Sequence, residues 1–101
     1  MDDAGKFEWD ESKAASNYAK HGVGFGEASR VFRDLFGIEV LDDRKDYGEE
    51  RFIRTGMAGD RLLTVVYTER GENIRIISAR EAGKYERKNY YSQNAQRRED
   101  C

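Results

Sequence analysis

Three segments in the second half of the chain constrain its fold more than any other feature: RFIRTGM (residues 51–57), RLLTVVYTE (61–69) and NIRIISA (73–79). They are rich in β-branched and aromatic residues, and short turns at Ala58-Gly59-Asp60 and Arg70-Gly71-Glu72 separate them. Connections this short pair neighbouring strands antiparallel, so a three-stranded meander is predicted. Strict alternation places Leu63, Val65 and Tyr67 on one face of the middle strand, and Leu62, Thr64, Val66 and Thr68 on the other. In the last strand it groups Ile74, Ile76, Ser78 and Arg80 against Arg75, Ile77 and Ala79. One sheet face is expected to pack on helices and the other to present Arg and Tyr side chains.

Upstream the hydrophobic period becomes helical. Phe7-Glu8-Trp9 reads as a short first strand, and Asp10 as the N-cap of a helix reaching Lys20 or His21. Ala14, Ala15, Tyr18 and Ala19 form its apolar stripe, and Gly22 stands just past its end. A second helix is expected from about Gly24 or Phe25 to Arg33, with Phe25, Ala28, Val31 and Phe32 inward. IEVL (38–41) reads as a strand before the polar loop DDRKDYGEE, and residues 80 to about 96 return to helix-forming composition. The expected order is β-α-α-β-β-β-α: an α+β fold with two N-terminal helices and a C-terminal helix on an antiparallel sheet. One domain spans 1–101, with 1–5 and about 93–101 as flexible tails.

Composition excludes several classes. Charged residues reach 38%, yet 12% are aromatic, which argues for a folded core. The longest apolar run, LLTVVY, is too short to span a bilayer, and the first residues lack a secretory pattern, so a cytoplasmic, membrane-free protein is expected. Cys101 stands alone, so neither an internal disulfide nor a Cys-based metal site is expected. Phosphate loops, paired His ligands and nucleophile elbows are missing, and no metal or cofactor is expected. Residues 42–50 fail as a calcium loop, because Tyr47 or Lys45 occupies a required position; they read as a connection or a docking surface for a basic partner.

The charge is unevenly divided. Residues 1–50 hold 7 Lys/Arg against 13 Asp/Glu, whereas 51–101 hold 11 against 7. The basic half carries Arg51, Arg54, Arg61, Arg70, Arg75 and Arg80, together with Tyr67, Tyr90 and Tyr91. Arginine's fork matches phosphate, and tyrosine stacks on bases or donates a proton. A surface that handles phosphate follows, with structural salt bridges as the alternative for any single arginine.

FEWDESKAASNYAKHGVGFGEASRVF, then DDRKDYGEERFIRTGM, then RLLTVVYTERGENIRIISAREAGKYER and NYY resemble, in order, the BrnT family of type II toxins. The resemblance covers roughly residues 7–91. It implies a RelE-like fold and a ribonuclease that restrains translation. It also implies neutralisation by a BrnA-like antitoxin with a ribbon-helix-helix DNA-binding part. A heterotetramer with dimeric antitoxin is expected, with DNA reached only through the antitoxin. Gly24 replaces a usual Ser cap, and Glu81 and Gly83 fall where further basic residues are common.

RNA cleavage without a metal requires a base for the 2′-hydroxyl, cations for the developing charge and an acid for the leaving oxygen. Arg51, Arg75 and Arg80 are candidates for the cations, Glu86 for the base, Tyr67 or Tyr90 for stacking or proton donation, and His21 for base or acid. Lys20, Arg54, Lys84 and Tyr90 are candidate RNA contacts. Asn17, Lys20 and His21 fall at i, i+3 and i+4 and are expected to share a helix face toward phosphate. His21 also suits the end of a helix dipole. Two readings stay open: a cleaving toxin, or a non-catalytic module that joins a DNA-binding antitoxin or binds RNA.

Overall fold

The computed structural model describes residues 6–99, and the predicted meander forms its centre. Strands β3 (Arg51–Ala58), β4 (Arg61–Arg70) and β5 (Asn73–Glu81) pair antiparallel in chain order. Ala58 pairs with Arg61 and Arg70 with Asn73, leaving two-residue loops. Gly59 and Gly71 adopt φ of 64° and 60° there, the left-handed conformation that such tight hairpins need.

The sheet has five strands in the order β1-β5-β4-β3-β2. β2 (Ile38–Asp42) runs antiparallel along β3, and β1 (Phe7–Glu8) pairs parallel with Ile74 and Arg75 of β5. The observed order is therefore β-α-α-β-β-β-β-α: IEVL and all three meander strands form alongside β1, so the expected β-α-α-β-β-β-α order is one strand short, and the sheet is mostly rather than wholly antiparallel. β2, the strand read at IEVL, satisfies backbone groups along the outer edge of β3.

Helix α1 (Glu11–His21) starts as predicted: Asp10 Oδ1 accepts from the Ser12 and Lys13 amides at 2.9 and 3.1 Å. It ends where the Gly22 amide donates to Tyr18 O. The second helix is shorter than expected. α2 (Phe25–Ala28) is a single turn that tightens into a 3₁₀ segment, Ser29–Arg33. Ser29 Oγ donates back to Gly26 O, while the Val31 carbonyl receives the Asp34 amide and Arg54 Nε. Those partners replace the i→i+4 bonds that a longer helix requires.

Val23, Phe25, Ala28 and Val31 pack on Ala58, Leu63, Val65, Ile76 and Ala79 to form the core. Trp9 meets Phe25 edge-on, with ring centroids 5.9 Å apart, and so belongs to packing. α3 (Lys84–Glu99) lies over the opposite face: Glu86 bonds Thr64, whose β4 neighbours Leu63 and Val65 point into the core. The helix runs past the expected Gln96 to Glu99, so residues 93–99, expected in a tail, are helical. Residues 1–5 and 100–101, including Cys101, lie outside the described residues.

One irregularity changes which side chains share a face. Val66 pairs with Ser78 but Tyr67 pairs with Ile76, leaving Ile77 as an extra residue in β5. Alternation therefore breaks. Ile76 and Ala79 both reach the core, while Arg75, Ser78 and Arg80 stand opposite Thr68, Val66 and Thr64 on the other face. The two strand faces expected from strict alternation are thus corrected.

Candidate functional site

The face that β5 shares with α3 gathers three of the predicted arginines. Arg75 and Arg80 are opposite Thr68 and Thr64, about 13 Å apart along β4. Arg51 lies on the same face through its pairing with Asp42 and the alternation of β3, on which Thr55 hydrogen-bonds Thr64. Arg75 donates to Glu8 Oε2 at 2.9 Å, and Asn73 holds the other oxygen of that carboxylate. These bonds keep Glu8 below its ordinary pKa, the Asn73 bond most strongly. Arg51 stacks over Tyr47 with 4.1 Å to the ring centroid and reaches Glu49 at 3.2 Å.

Glu86 is the organising carboxylate. It receives Arg80 through two parallel bonds of 2.8 and 2.7 Å, the Thr64 hydroxyl at 3.0 Å and the Gly83 amide at 2.7 Å. Arg87 N donates to Gly83 O, so Gly83 caps α3 and Glu86 reaches back from the third helical position, as in one half of a capping box. The Arg80 bond, followed by those from Gly83 and Thr64, outweighs burial and lowers the Glu86 pKa to about 2. Arg80 is raised in turn, chiefly by Glu86. Lys84 is exposed in the first turn of α3, beside this pair.

Reading residues 42–50 as an acidic loop missed Arg44. Its guanidinium grips the buried Asp42 carboxylate through two 2.7 Å bonds and lowers that carboxyl to about 2. Arg44 is also close enough to Arg80 to oppose its charge. The available signal was Asp42-x-Arg44, a spacing that lets the guanidinium fold back onto its own turn.

Other predicted residues are placed elsewhere. Tyr67 stands on the core face between Phe32 and Phe52 and donates to Glu39, and burial first, then Glu39, raises its pKa. Arg54 shares that face and ties the Val31 and Asp34 carbonyls to Glu39. Tyr90 is buried, with its hydroxyl 2.5 Å from Asp34 Oδ2. The structure thus does not bring Tyr67, Arg54 or Tyr90 to the Arg80 carboxylate pair. Lys20 and His21 are exposed on α1 and line a groove with Lys13, Ser16, Ile77 and Ser78. Asn17 does not join them in facing outward: it is buried, and its amide binds Val23 O and both backbone groups of Ala79. It satisfies β5 at an edge that the short β1 leaves uncovered.

Among the described residues no cluster of three or more His, Cys, Asp or Glu side chains is arranged to hold a metal ion. No helix among them is long and apolar enough to cross a membrane.

Fold and site together define a small α+β domain whose sheet presents arginines and hydroxyls suited to a phosphodiester. A family model described as the ribonuclease toxin BrnT, of type II toxin-antitoxin system, matches residues 9–86, and the chain belongs to that family. The family is one of ribonuclease toxins, and its type implies an antitoxin partner. The matched span includes Arg51, Arg75, Arg80 and Glu86, and stops short of Tyr90. No match was found among curated proteins.

Proposed function

We propose that the chain cleaves RNA at the Arg51–Arg75–Arg80 face without a metal ion, in a RelE-like fold, and thereby inhibits translation in the cytoplasm. The observation that carries this reading is the Arg80–Glu86 fork, because it couples a phosphate ligand to a potential base. A phosphodiester competes with Glu86 for the guanidinium. Once Arg80 turns to phosphate, the main cause of the low Glu86 pKa is removed and the carboxylate becomes a stronger base.

Glu86 then takes the 2′-hydroxyl proton as the 2′-oxygen forms a bond to phosphorus. The bond from phosphorus to the 5′-oxygen breaks, and that oxygen takes a proton from solvent at the exposed edge. The products are a 2′,3′-cyclic phosphate and a free 5′-hydroxyl. Arg75, Arg51 and Arg80 stabilise the charge gained by the phosphoryl oxygens. Lys84 contacts the RNA backbone next to the scissile phosphate. A BrnA-like ribbon-helix-helix antitoxin neutralises the toxin by covering this face, in a heterotetramer that reaches DNA through the antitoxin.

The purified chain with EDTA and a short oligoribonucleotide tests the proposal. Cyclic-phosphate products that disappear in Arg80→Ala support it; cleavage that requires added metal, or survives Arg80→Ala, overturns it. The closed Arg80–Glu86 pair also favours a second reading, a non-catalytic module that binds RNA or antitoxin. Binding of RNA by the wild type with no cleavage on or off ribosomes selects that one.

A further inference from the structure

α1 turns an unusual stripe toward the sheet edge. Lys13, Ser16, Asn17, Lys20 and His21 follow the i, i+3, i+4, i+7, i+8 spacing that ordinarily carries the apolar side of a helix. Asn17 fastens the middle of that stripe to Ala79 and Val23, so the floor is fixed and all its bonds point inward. The remaining members, Lys13, Ser16, Lys20 and His21, form an open groove with Ile77 and Ser78 of β5. Its polar rim consists of cations and hydroxyls. Glu11, the acidic residue of α1, is about 200° around the helix from Lys13. Asp10, the N-cap, engages the helix amides through Oδ1 and lies close enough to Lys13 to interact with its charge. The helix dipole favours basic residues in the last turn, Lys20 and His21, whereas Lys13 stands in the first turn, where the dipole opposes it and Asp10 lies near.

The β5 bulge joins this groove to the arginine face. Ile77, the extra residue, contributes to the groove wall, and Ser78 belongs to both surfaces. In the register Ser78 sits opposite Val66, between Thr68 opposite Arg75 and Thr64 opposite Arg80. A strand crossing that face therefore has a donor-lined exit past Ser78 and along α1, where Lys13 and Lys20 are about 10 Å apart.

We propose that the α1–β5 groove is a second RNA subsite, which holds backbone phosphates flanking the scissile one through Lys13, Lys20 and His21 and takes no part in bond breaking. It rests on the ribonuclease reading and adds a binding track to it.

The test compares a dinucleotide, which reaches only the arginine face, with a 12-nucleotide RNA. The substitutions Lys13→Gln, Lys20→Gln and His21→Gln are made together, all at exposed positions, and folding is checked by circular dichroism. The triple variant should raise KM for the longer RNA about tenfold and leave its kcat and the dinucleotide unchanged. Neutralising two lysines should also flatten the salt dependence by about 1.4 logarithmic units per decade. Unchanged KM and salt slope overturn the subsite, as does a fall in kcat on the dinucleotide. Loss of antitoxin affinity with unaltered RNA kinetics assigns the groove to a protein partner and likewise overturns it. If the wild type binds the longer RNA without cutting it, and the triple variant binds more weakly, the subsite stands while the cleavage reading falls.

Discussion

Arg80 and Glu86 meet across the junction of β5 and α3 in a two-point ion pair, with Nη1 2.8 Å from Oε1 and Nη2 2.7 Å from Oε2. The same carboxylate caps α3 through Gly83 and holds Thr64 of β4. One side chain thus joins helix to sheet and faces the arginine that a phosphate would occupy. Stability and proposed chemistry are coupled at this pair, and pH separates them.

Glu86→Gln should lower stability near neutral pH and have little effect in strong acid. The Glu86 pKa is lowered to about 2, first by Arg80, so its ionised form favours the folded state. That contribution is fully present above the ordinary carboxyl value of 4.5 and fades as pH falls toward 2. The pair is partly open to solvent, so the difference at pH 7 should be on the order of 1 kcal/mol. Urea midpoints of wild type and variant should converge at the acid end. A constant gap would assign the loss to uncharged capping geometry.

Arg80→Lys should damage cleavage nearly as much as Arg80→Ala. Lysine keeps the positive charge but lacks the planar fork that matches two carboxylate or phosphate oxygens. Single-turnover cleavage by the lysine variant should fall at least about tenfold, given that hydrogen bonds to charged groups contribute roughly 1.5–3 kcal/mol each. Near-wild-type rates would mean that a point charge suffices and that the fork serves only the fold.

Local patterns made much of this legible. The hairpin glycines, the Asp10 cap and the apolar residues of β4 were readable because each reports on its own few neighbours. The bulge was not. Nothing in NIRIISARE marks Ile77 as the extra residue, since an isoleucine suits either side of a strand, and the choice depends on the register with β4. That one residue decides whether Arg75 and Arg80 share a face. Tyr67 and Arg54 looked like site residues by type, but their roles depend on distant partners, Glu39 and the 3₁₀ segment. Asn17 escaped for the same reason: its partner Ala79 is 62 residues away.

Asn17→Ala should be among the costlier single substitutions in α1. It removes an amide that satisfies the N–H and C=O of Ala79 and the carbonyl of Val23 in a buried setting. Orphaned buried polar groups cost about 1–3 kcal/mol. Urea unfolding should show a loss in that range, and amide exchange at Ala79 should quicken more than at Leu63. A loss below about 0.5 kcal/mol would mean that water replaces the side chain at the β5 edge.

Tyr90 and Asp34 anchor the middle of α3. The Asp34 carboxylate accepts the Tyr90 hydroxyl at 2.5 Å, the Met57 amide at 2.8 Å and the Phe36 amide at 2.9 Å. Burial pushes its pKa up, but these bonds more than offset it and leave the group below its ordinary value. Tyr90→Phe should cost about 1 kcal/mol and speed amide exchange in α3, leaving the centre of β4 protected. Asp34→Asn should cost more, because an amide has one acceptor oxygen for three donors and its NH₂ would face Tyr90 or a backbone amide. The double variant should cost less than the two single losses combined, because both remove the same bond. Strict additivity in urea unfolding would show that Tyr90 holds α3 by packing alone.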